Sequence, residues 1–109
     1  LKVSSHFLIT RAGQLIQFVP IHLRAWHAGI SSFKGREGCN DFSIGIELEG
    51  CDEEEFAASQ YETLIELVNF LKEEYLIIEN NIVGHSSVAP GRKTDPGPHF
   101  KWNLLKSST

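Results

Sequence analysis

Residues 42–75 read FSIGIELEGCDEEEFAASQYETLIELVNFLKEEY, and the hydrophobic period changes once along this stretch. Over 42–49 apolar residues alternate with other residues, as on the two faces of a β-strand. The apolar set is Phe42, Ile44, Ile46 and Leu48, and the opposite set is Ser43, Gly45, Glu47 and Glu49. Over 58–75 apolar residues recur every three or four positions, as on one face of an amphipathic helix. The stretch therefore predicts a strand followed by a helix.

The predicted helix has a start signal and an apolar stripe. Ser59 followed by Glu62 is the pattern of a capping box. The stripe consists of Tyr61, Leu64, Ile65, Val68, Leu71 and Tyr75. We expect helix 59–74 to pack on one face of a sheet. The expected contact residues are Leu64, Ile65, Val68 and Leu71, with Glu62 and Glu66 in solvent.

The flanking segments supply further strands. Residues 6–10 and 14–19 are apolar and rich in β-branched side chains, and a turn with Gly13 in a left-handed conformation would join them as a hairpin. Residues 21–41 show no clear period and are predicted to be mainly loop. Residues 80–85, NNIVGH, predict a short strand that ends at its histidine. Because strands and a helix interleave, the predicted class is α/β with a mixed β-sheet flanked by helices.

Length and composition limit the classes of function. The 109 residues make one domain, and a net charge of −4 gives no nucleic-acid footprint. No apolar run approaches the length of a membrane span. The sequence has no methionine and opens at Leu1 inside an apolar stretch, so we interpret it as a fragment or a processed product. Cys39 and Cys51 flank the predicted strand and would lie beyond the about 7 Å that a disulfide allows, so free thiols and a reducing compartment are expected.

A stiff loop near the carboxyl end holds the first candidate site. Three of the four prolines lie within residues 84–100, GHSSVAPGRKTDPGPHF. His85 and Asp95 carry nitrogen and oxygen donors that zinc accepts, and Lys93 offers a cation for a developing oxyanion. A polar surface loop is the alternative interpretation. The rigidity given by proline favours a preorganised site.

Two further candidates lie upstream. Glu47 places a carboxylate in an apolar strand, where it is costly unless paired, solvated or functional. It is either part of a wet sheet face with Glu49 or a general base for metal-assisted hydrolysis. Trp26 and His27, in RAWHAG at 24–29, either contact a substrate or anchor the loop to the core. His6 on the first strand is interpreted as a satisfied core histidine or one that supports the site.

Four motifs together resemble one enzyme family. They are VSSHFLITRAGQLIQFVP, RAWHAG, CNDFSIGIELEG and GHSSVAPGRKTDPGP, in this order from about Val3 to Trp102. This set resembles the AmpD-type zinc-dependent N-acetylmuramoyl-L-alanine amidases, whose fold is like that of the peptidoglycan recognition proteins. The resemblance implies a cytoplasmic zinc enzyme of peptidoglycan recycling. Its substrate would be an anhydro-muropeptide, cleaved between 1,6-anhydro-N-acetylmuramic acid and the L-alanine of the stem peptide.

The resemblance also implies roles for individual residues. His85 and Asp95 match zinc ligands, and Glu47 matches the catalytic glutamate. Lys93 matches a lysine near the scissile carbonyl, and the Trp26–His27 pair matches the substrate-side loop. Ser87 stands where many relatives carry aspartate, which would weaken hydrogen bonds that support the loop.

The family's first zinc ligand lies on a strand upstream of the matched region. Residues 1–109 would then be a single amidase domain that lacks its N-terminal strand and first metal ligand. Since a catalytic zinc takes three protein ligands and a water, we expect these 109 residues alone to bind zinc weakly and to be inactive.

Two alternatives stay open on the sequence. One is a muropeptide-binding module of the same fold without catalysis, and a histidine on the upstream strand would decide against it. The other is a phage-type lytic amidase that acts on intact wall, although such enzymes more often carry cysteine as the third ligand.

Overall fold

The computed structural model describes residues 5–23, 32–37, 43–50, 55–78, 81–88 and 96–106. Five strands and three helices lie within these ranges. They are β1 (Phe7–Ile9), β2 (Leu15–Gln17), β3 (Ser32–Phe33), β4 (Arg36–Glu37), β5 (Ile46–Leu48), α1 (Ala58–Tyr75), α2 (His85–Val88) and α3 (Trp102–Lys106).

The main sheet has the strand order β2-β1-β5. Strand β1 pairs antiparallel with β2 and parallel with β5, which confirms the mixed sheet. The predicted hairpin is also confirmed, because Gly13 closes the β1–β2 turn with a φ of +83°. Strand β5 is shorter than the predicted 42–49, and Phe42 lies outside the described residues.

Helix α1 begins with a different cap from the predicted one. The N-cap is Ala57, whose N–H donates to Gln60 Oε1 at 2.9 Å. Ser59 lies inside the first turn, and its hydroxyl donates to the carbonyl of Arg11 at 3.0 Å. The capping box of Ser59 and Glu62 was therefore wrong, because the hydroxyl bonds to the neighbouring β1–β2 turn instead of to its own helix.

The core lies between α1 and the sheet. Ile9 packs with Leu64 and Val68 in one cluster, and Phe7 packs with Leu67 and Leu71 in a second. Ile65 is partly buried against the first cluster, while Glu62 and Glu66 are exposed, so the predicted packing face is confirmed. Two details differ. Leu67 joins the buried face, and Tyr75 is 51% exposed at the end of the helix.

Two segments differ from the sequence-based expectation. Residues 81–84 form no strand, and His85 is the first residue of helix α2 rather than the end of a strand. Within the predicted loop 21–41, β3 and β4 form a small antiparallel hairpin. Its turn residues Lys34 and Gly35 both have positive φ, at +50° and +82°. Lys34 Nζ donates to Asn81 Oδ1 at 2.6 Å, so the hairpin contacts the segment that leads into α2.

Candidate functional site

Glu47 lies at the centre of β5, on the sheet face that points away from α1. Its neighbours Ile46 and Leu48 pack against the core on the α1 side, and the Glu47 side chain is exposed. In the register of the sheet it lies beside Leu8 of β1, which in turn lies beside Ile16 of β2. The carboxylate is therefore accessible to a substrate, at the edge of an apolar row. Exposure alone does not separate a catalytic Glu47 from a wet sheet face.

Glu49 shares this face but has a defined partner. Its Oε1 accepts a hydrogen bond from the backbone N–H of Arg11 at 2.8 Å, which connects the end of β5 to the β1–β2 turn. Among the described residues, the Glu47 carboxylate accepts no comparable bond. Both side chains are exposed, and the two carboxylates differ in that Glu49 has this backbone partner.

Gln60 is a buried residue near the site that the sequence reasoning missed. Its side-chain amide is fully buried and donates to the carbonyls of Glu49 at 2.9 Å and of Ile9 at 3.2 Å. These bonds fix the ends of β1 and β5 to the first turn of α1. One signal in the sequence could have identified Gln60. A glutamine at the third helical position is the second half of a capping box.

His6 is buried, and both ring nitrogens contact backbone groups. Nε2 lies 2.7 Å from the carbonyl oxygen of Leu23, and Nδ1 accepts the N–H of Gly45 at 3.1 Å. Since a carbonyl only accepts, Nε2 carries the proton and Nδ1 does not. The interpretation of His6 as a satisfied core histidine is confirmed.

Both ends of the stiff loop lie among the described residues, and its carboxyl end is attached to α1. At one end, α2 begins at His85, and Ser87 N–H bonds to Gly84 O at 3.1 Å. At the other end, Phe100 is buried against Tyr61 of α1, and the Tyr61 hydroxyl accepts the N–H of Lys101 at 3.0 Å. The loop is thus held to α1 at its carboxyl end.

The structure places only part of the predicted site. It describes Glu47, which is exposed on β5, and the backbone of His85, which begins α2. Trp26, His27, Lys93 and Asp95 lie outside the described residues, as do Cys39 and Cys51. Their predicted roles stay predictions.

The metal chemistry rests on donor type. In the described ranges, no three His, Cys, Asp or Glu residues are grouped so that they could hold a metal ion. The imidazole of His85 and the carboxylate of Asp95 are donors that zinc accepts, so the predicted pair fits the metal chemically. His6 is a poor substitute ligand, because its unprotonated nitrogen is bonded to Gly45. In the same described ranges, no helix is both long and apolar enough to cross a membrane.

The chain is similar to a known group of enzymes over nearly its whole length. The family model described as N-acetylmuramoyl-L-alanine amidase matches residues 1–98. The 1,6-anhydro-N-acetylmuramyl-L-alanine amidase AmpD of Citrobacter freundii is 56% identical over 107 residues, which are 98% of this chain and 57% of that protein. AmpD of Escherichia coli K12 is 53% identical over 102 residues, 94% of this chain and 56% of that protein. The chain thus spans little more than half the length of these relatives.

Solved structures agree in fold. A selenomethionine derivative of AmpD superposes with a TM-score of 0.94 at 53% identity, covering 99% of this chain and 60% of that one. AmiD from Escherichia coli superposes with a TM-score of 0.95 at 37% identity, covering 99% of this chain and 48% of that one. That AmiD structure is a complex with the substrate anhydro-N-acetylmuramic acid-L-Ala-D-gamma-Glu-L-Lys. The architecture described above is therefore shared with both proteins.

Proposed function

Since the chain belongs to the N-acetylmuramoyl-L-alanine amidase family, we propose that its protein hydrolyses the amide bond between N-acetylmuramic acid and the L-alanine of the stem peptide. The substrate of the proposal is the 1,6-anhydro form, an anhydro-muropeptide released from peptidoglycan. The observation that carries this choice is the 56% identity to a 1,6-anhydro-N-acetylmuramyl-L-alanine amidase. The proposal includes a role in peptidoglycan recycling and a cytoplasmic location.

Glu47 is the proposed general base. A base must come within hydrogen-bond reach of the water whose proton it takes. The exposed carboxylate on the outer face of β5 meets this requirement for a substrate that lies across that face. Glu47 would take the proton from the attacking water and return it to the leaving amine of L-alanine. One carboxylate then serves both halves of the hydrolysis.

His85 and Asp95 are the proposed zinc ligands. A bound zinc ion supplies a Lewis acid that polarises the scissile carbonyl and makes water more acidic. The loop that carries the two ligands is attached at Phe100 and Lys101, through the buried contact with Tyr61 and the bond to its hydroxyl. Such support at the end of the loop would favour a preorganised metal site.

Lys93, Trp26 and His27 complete the proposal. The Lys93 ammonium would lie beside the carbonyl oxygen and stabilise the negative charge that develops on it. The Trp26 ring would stack on the sugar or the peptide, and the His27 imidazole would donate a hydrogen bond. The three assignments are supported by the motif match.

The test is an assay of the complete, zinc-loaded protein with purified anhydro-muropeptide. Mass spectrometry should detect free 1,6-anhydro-N-acetylmuramic acid and a stem peptide with a new amino terminus at L-alanine. Metal chelation should abolish product formation, and added zinc should restore it. A muropeptide with an ordinary reducing sugar and intact cell wall serve as matched substrates.

Other results would favour an alternative function or contradict the proposed location. Tight muropeptide binding without product would favour a binding module. Faster release from intact wall than from the anhydro-muropeptide would favour a lytic amidase. Recovery of the protein outside the cytoplasmic fraction of its native cells would contradict the proposed location.

A further inference from the structure

His6 is a buried polar residue to which the proposed reaction gives no part. Its side chain is 1% exposed, and its ring nitrogens contact backbone groups from two distant segments. Burial of an imidazole is costly unless its nitrogens are hydrogen-bonded. We name the set of His6, Leu23 and Gly45 the His6 bridge.

One side of the His6 bridge holds the residue that precedes β5. The backbone N–H of His6 donates to the Gly45 carbonyl at 2.9 Å, and the Gly45 N–H donates to His6 Nδ1 at 3.1 Å. Both backbone polar groups of Gly45 are thus bonded to the same residue. Gly45 is buried, so its N–H would have no water in place of Nδ1.

Gly45 lies two residues before Glu47. Because Gly45 directly precedes β5, its bonds to His6 fix the backbone at the start of the strand that carries Glu47. Directly after β5, Glu49 is held by Gln60 and Arg11. Between these two positions β5 pairs with β1, and the His6 bridge anchors the end of the strand that precedes Glu47.

The other side of the His6 bridge holds Leu23. Nε2 donates to the Leu23 carbonyl at 2.7 Å, and in the sequence Leu23 directly precedes RAWHAG. The two bonds require opposite roles of the ring nitrogens, so only the tautomer with a protonated Nε2 makes both. The bridge is thus specific to one tautomer of the imidazole.

We propose that His6 is a positioning residue, which sets the place of the Glu47 carboxylate through the backbone of Gly45. The inference rests on the proposed function, because Glu47 must act as base for its position to affect turnover. A displacement of about 1 Å at a catalytic group can lower a rate by about 100-fold. The bond from Gly45 N–H to Nδ1 is therefore the part of the bridge on which turnover depends.

Two variants separate the two bonds. In His6→Asn, the side-chain oxygen replaces Nδ1 as acceptor for Gly45 and the donor to Leu23 is lost. In His6→Gln, the side-chain nitrogen replaces Nε2 as donor to Leu23 and the acceptor for Gly45 is lost. In the complete, zinc-loaded protein, we expect His6→Gln to lower kcat about 10- to 100-fold with KM nearly unchanged. His6→Asn should retain most of kcat.

The control is Leu71→Ala, which removes a buried side chain from the second core cluster. Its kcat, corrected for the folded fraction, should equal that of the wild type even when its thermal midpoint falls as far as that of His6→Gln. Equal loss of kcat in His6→Asn and His6→Gln, or no loss in either, would overturn the proposal. So would a fall in kcat for Leu71→Ala that follows its stability.

Nitrogen-15 NMR of the histidine rings separates this inference from the proposed function. The His6 bridge requires a protonated Nε2 and an unprotonated Nδ1, together with slow hydrogen exchange of the Gly45 amide. Fast exchange of that amide in His6→Gln, and slow exchange in His6→Asn, are expected even if the wild type cleaves no muropeptide. An inactive wild type would refute the proposed function, whereas fast Gly45 exchange in the wild type would refute the bridge.

Discussion

Glu47 and Glu49 lie two residues apart on the same sheet face, yet their carboxylates have different surroundings. Both are exposed, and Glu49 accepts the Arg11 N–H, whereas no described residue gives Glu47 a comparable bond. We expect Glu47→Gln to retain zinc and to lower kcat by at least about 100-fold, because an amide cannot take the proton of the attacking water. Steady-state kinetics and bound-metal analysis measure both quantities.

The matched control is Glu49→Gln. Its amide oxygen can still accept the Arg11 N–H, so kcat should be close to that of the wild type. If Glu47→Gln lost its zinc and regained activity on addition of the metal, Glu47 would be a ligand instead of a base. If kcat fell equally in both variants, activity would depend on the negative charge of this sheet face and not on Glu47 as the general base.

Gln60 offers a test of stability at a single residue. In Gln60→Met the side chain stays long, but the carbonyls of Ile9 and Glu49 lose a donor and the N–H of Ala57 loses its acceptor. Because these groups are partly or fully buried, we expect the free energy of unfolding to fall by about 2 to 4 kcal/mol. Urea denaturation measures it. The exposed Glu62→Ala variant should change the same quantity by less than about 0.5 kcal/mol.

At the scale of elements, the β1–β2 turn packs closely on the first turns of α1. Thr63 Oγ1 donates to the Gly13 carbonyl at 2.6 Å, and a Cβ on Gly13 would lie 2.9 Å from Ser59 Cβ and from Ser59 O. Gly13 also has a left-handed φ. We expect Gly13→Ala to lower the free energy of unfolding by about 2 to 4 kcal/mol, from backbone strain and steric overlap together.

Gly35 separates these two causes. Its φ of +82° nearly equals that of Gly13, but no heavy atom of the described residues lies within 4 Å of a Cβ built on it. Gly35→Ala should therefore lower the free energy of unfolding by about 1 kcal/mol, from strain alone. Equal losses in the two variants, measured by urea denaturation, would show that the contact with Ser59 relaxes without cost.

Long periodic elements were predictable from the sequence, and short contacts between elements were not. The helix face of Leu64, Val68 and Leu71 followed from an apolar period that extends over many residues. The cap did not follow, because the Ser59 hydroxyl had a tertiary partner, the carbonyl of Arg11. A pattern of neighbouring residues does not show a partner that lies 48 positions away in the sequence.

The error at 80–85 has a different cause. Ile82 and Val83 are only two consecutive apolar residues, and Val83 is 40% exposed. A strand prediction from so short a run has no periodicity to support it. The same holds for the β3–β4 hairpin, whose two-residue strands carry no alternation. At the site, the motifs identified candidate residues, but the surroundings of His6 and Gln60 depend on residues far apart in sequence.

For the whole molecule, the proposed zinc site predicts a coupling between metal and stability. A metal that binds only the folded state raises the free energy of unfolding by about 2.7 kcal/mol when its free concentration is 100 times its dissociation constant. Chelation of the complete protein should therefore lower its thermal midpoint, and added zinc should restore it. His85→Ala and Asp95→Ala should each remove most of this increment, whereas the exposed His99→Ala should retain it. Thermal unfolding with and without zinc provides the measurement, and an equal midpoint in both conditions would contradict the site.

The parallel pairing of β1 with β5 has a consequence for biosynthesis. The His6 bridge joins residues 39 positions apart, whereas the β1–β2 hairpin is local. At about 5 to 20 residues per second, Gly45 leaves the ribosome about 2 to 8 s after His6. The hairpin has ample time to form in that interval, but its apolar residues Phe7 and Ile9 have neither β5 nor α1 to cover them. The side chains of Phe7 and Ile9 are therefore exposed for seconds during synthesis. In this period a chaperone bound to the nascent chain would protect them most.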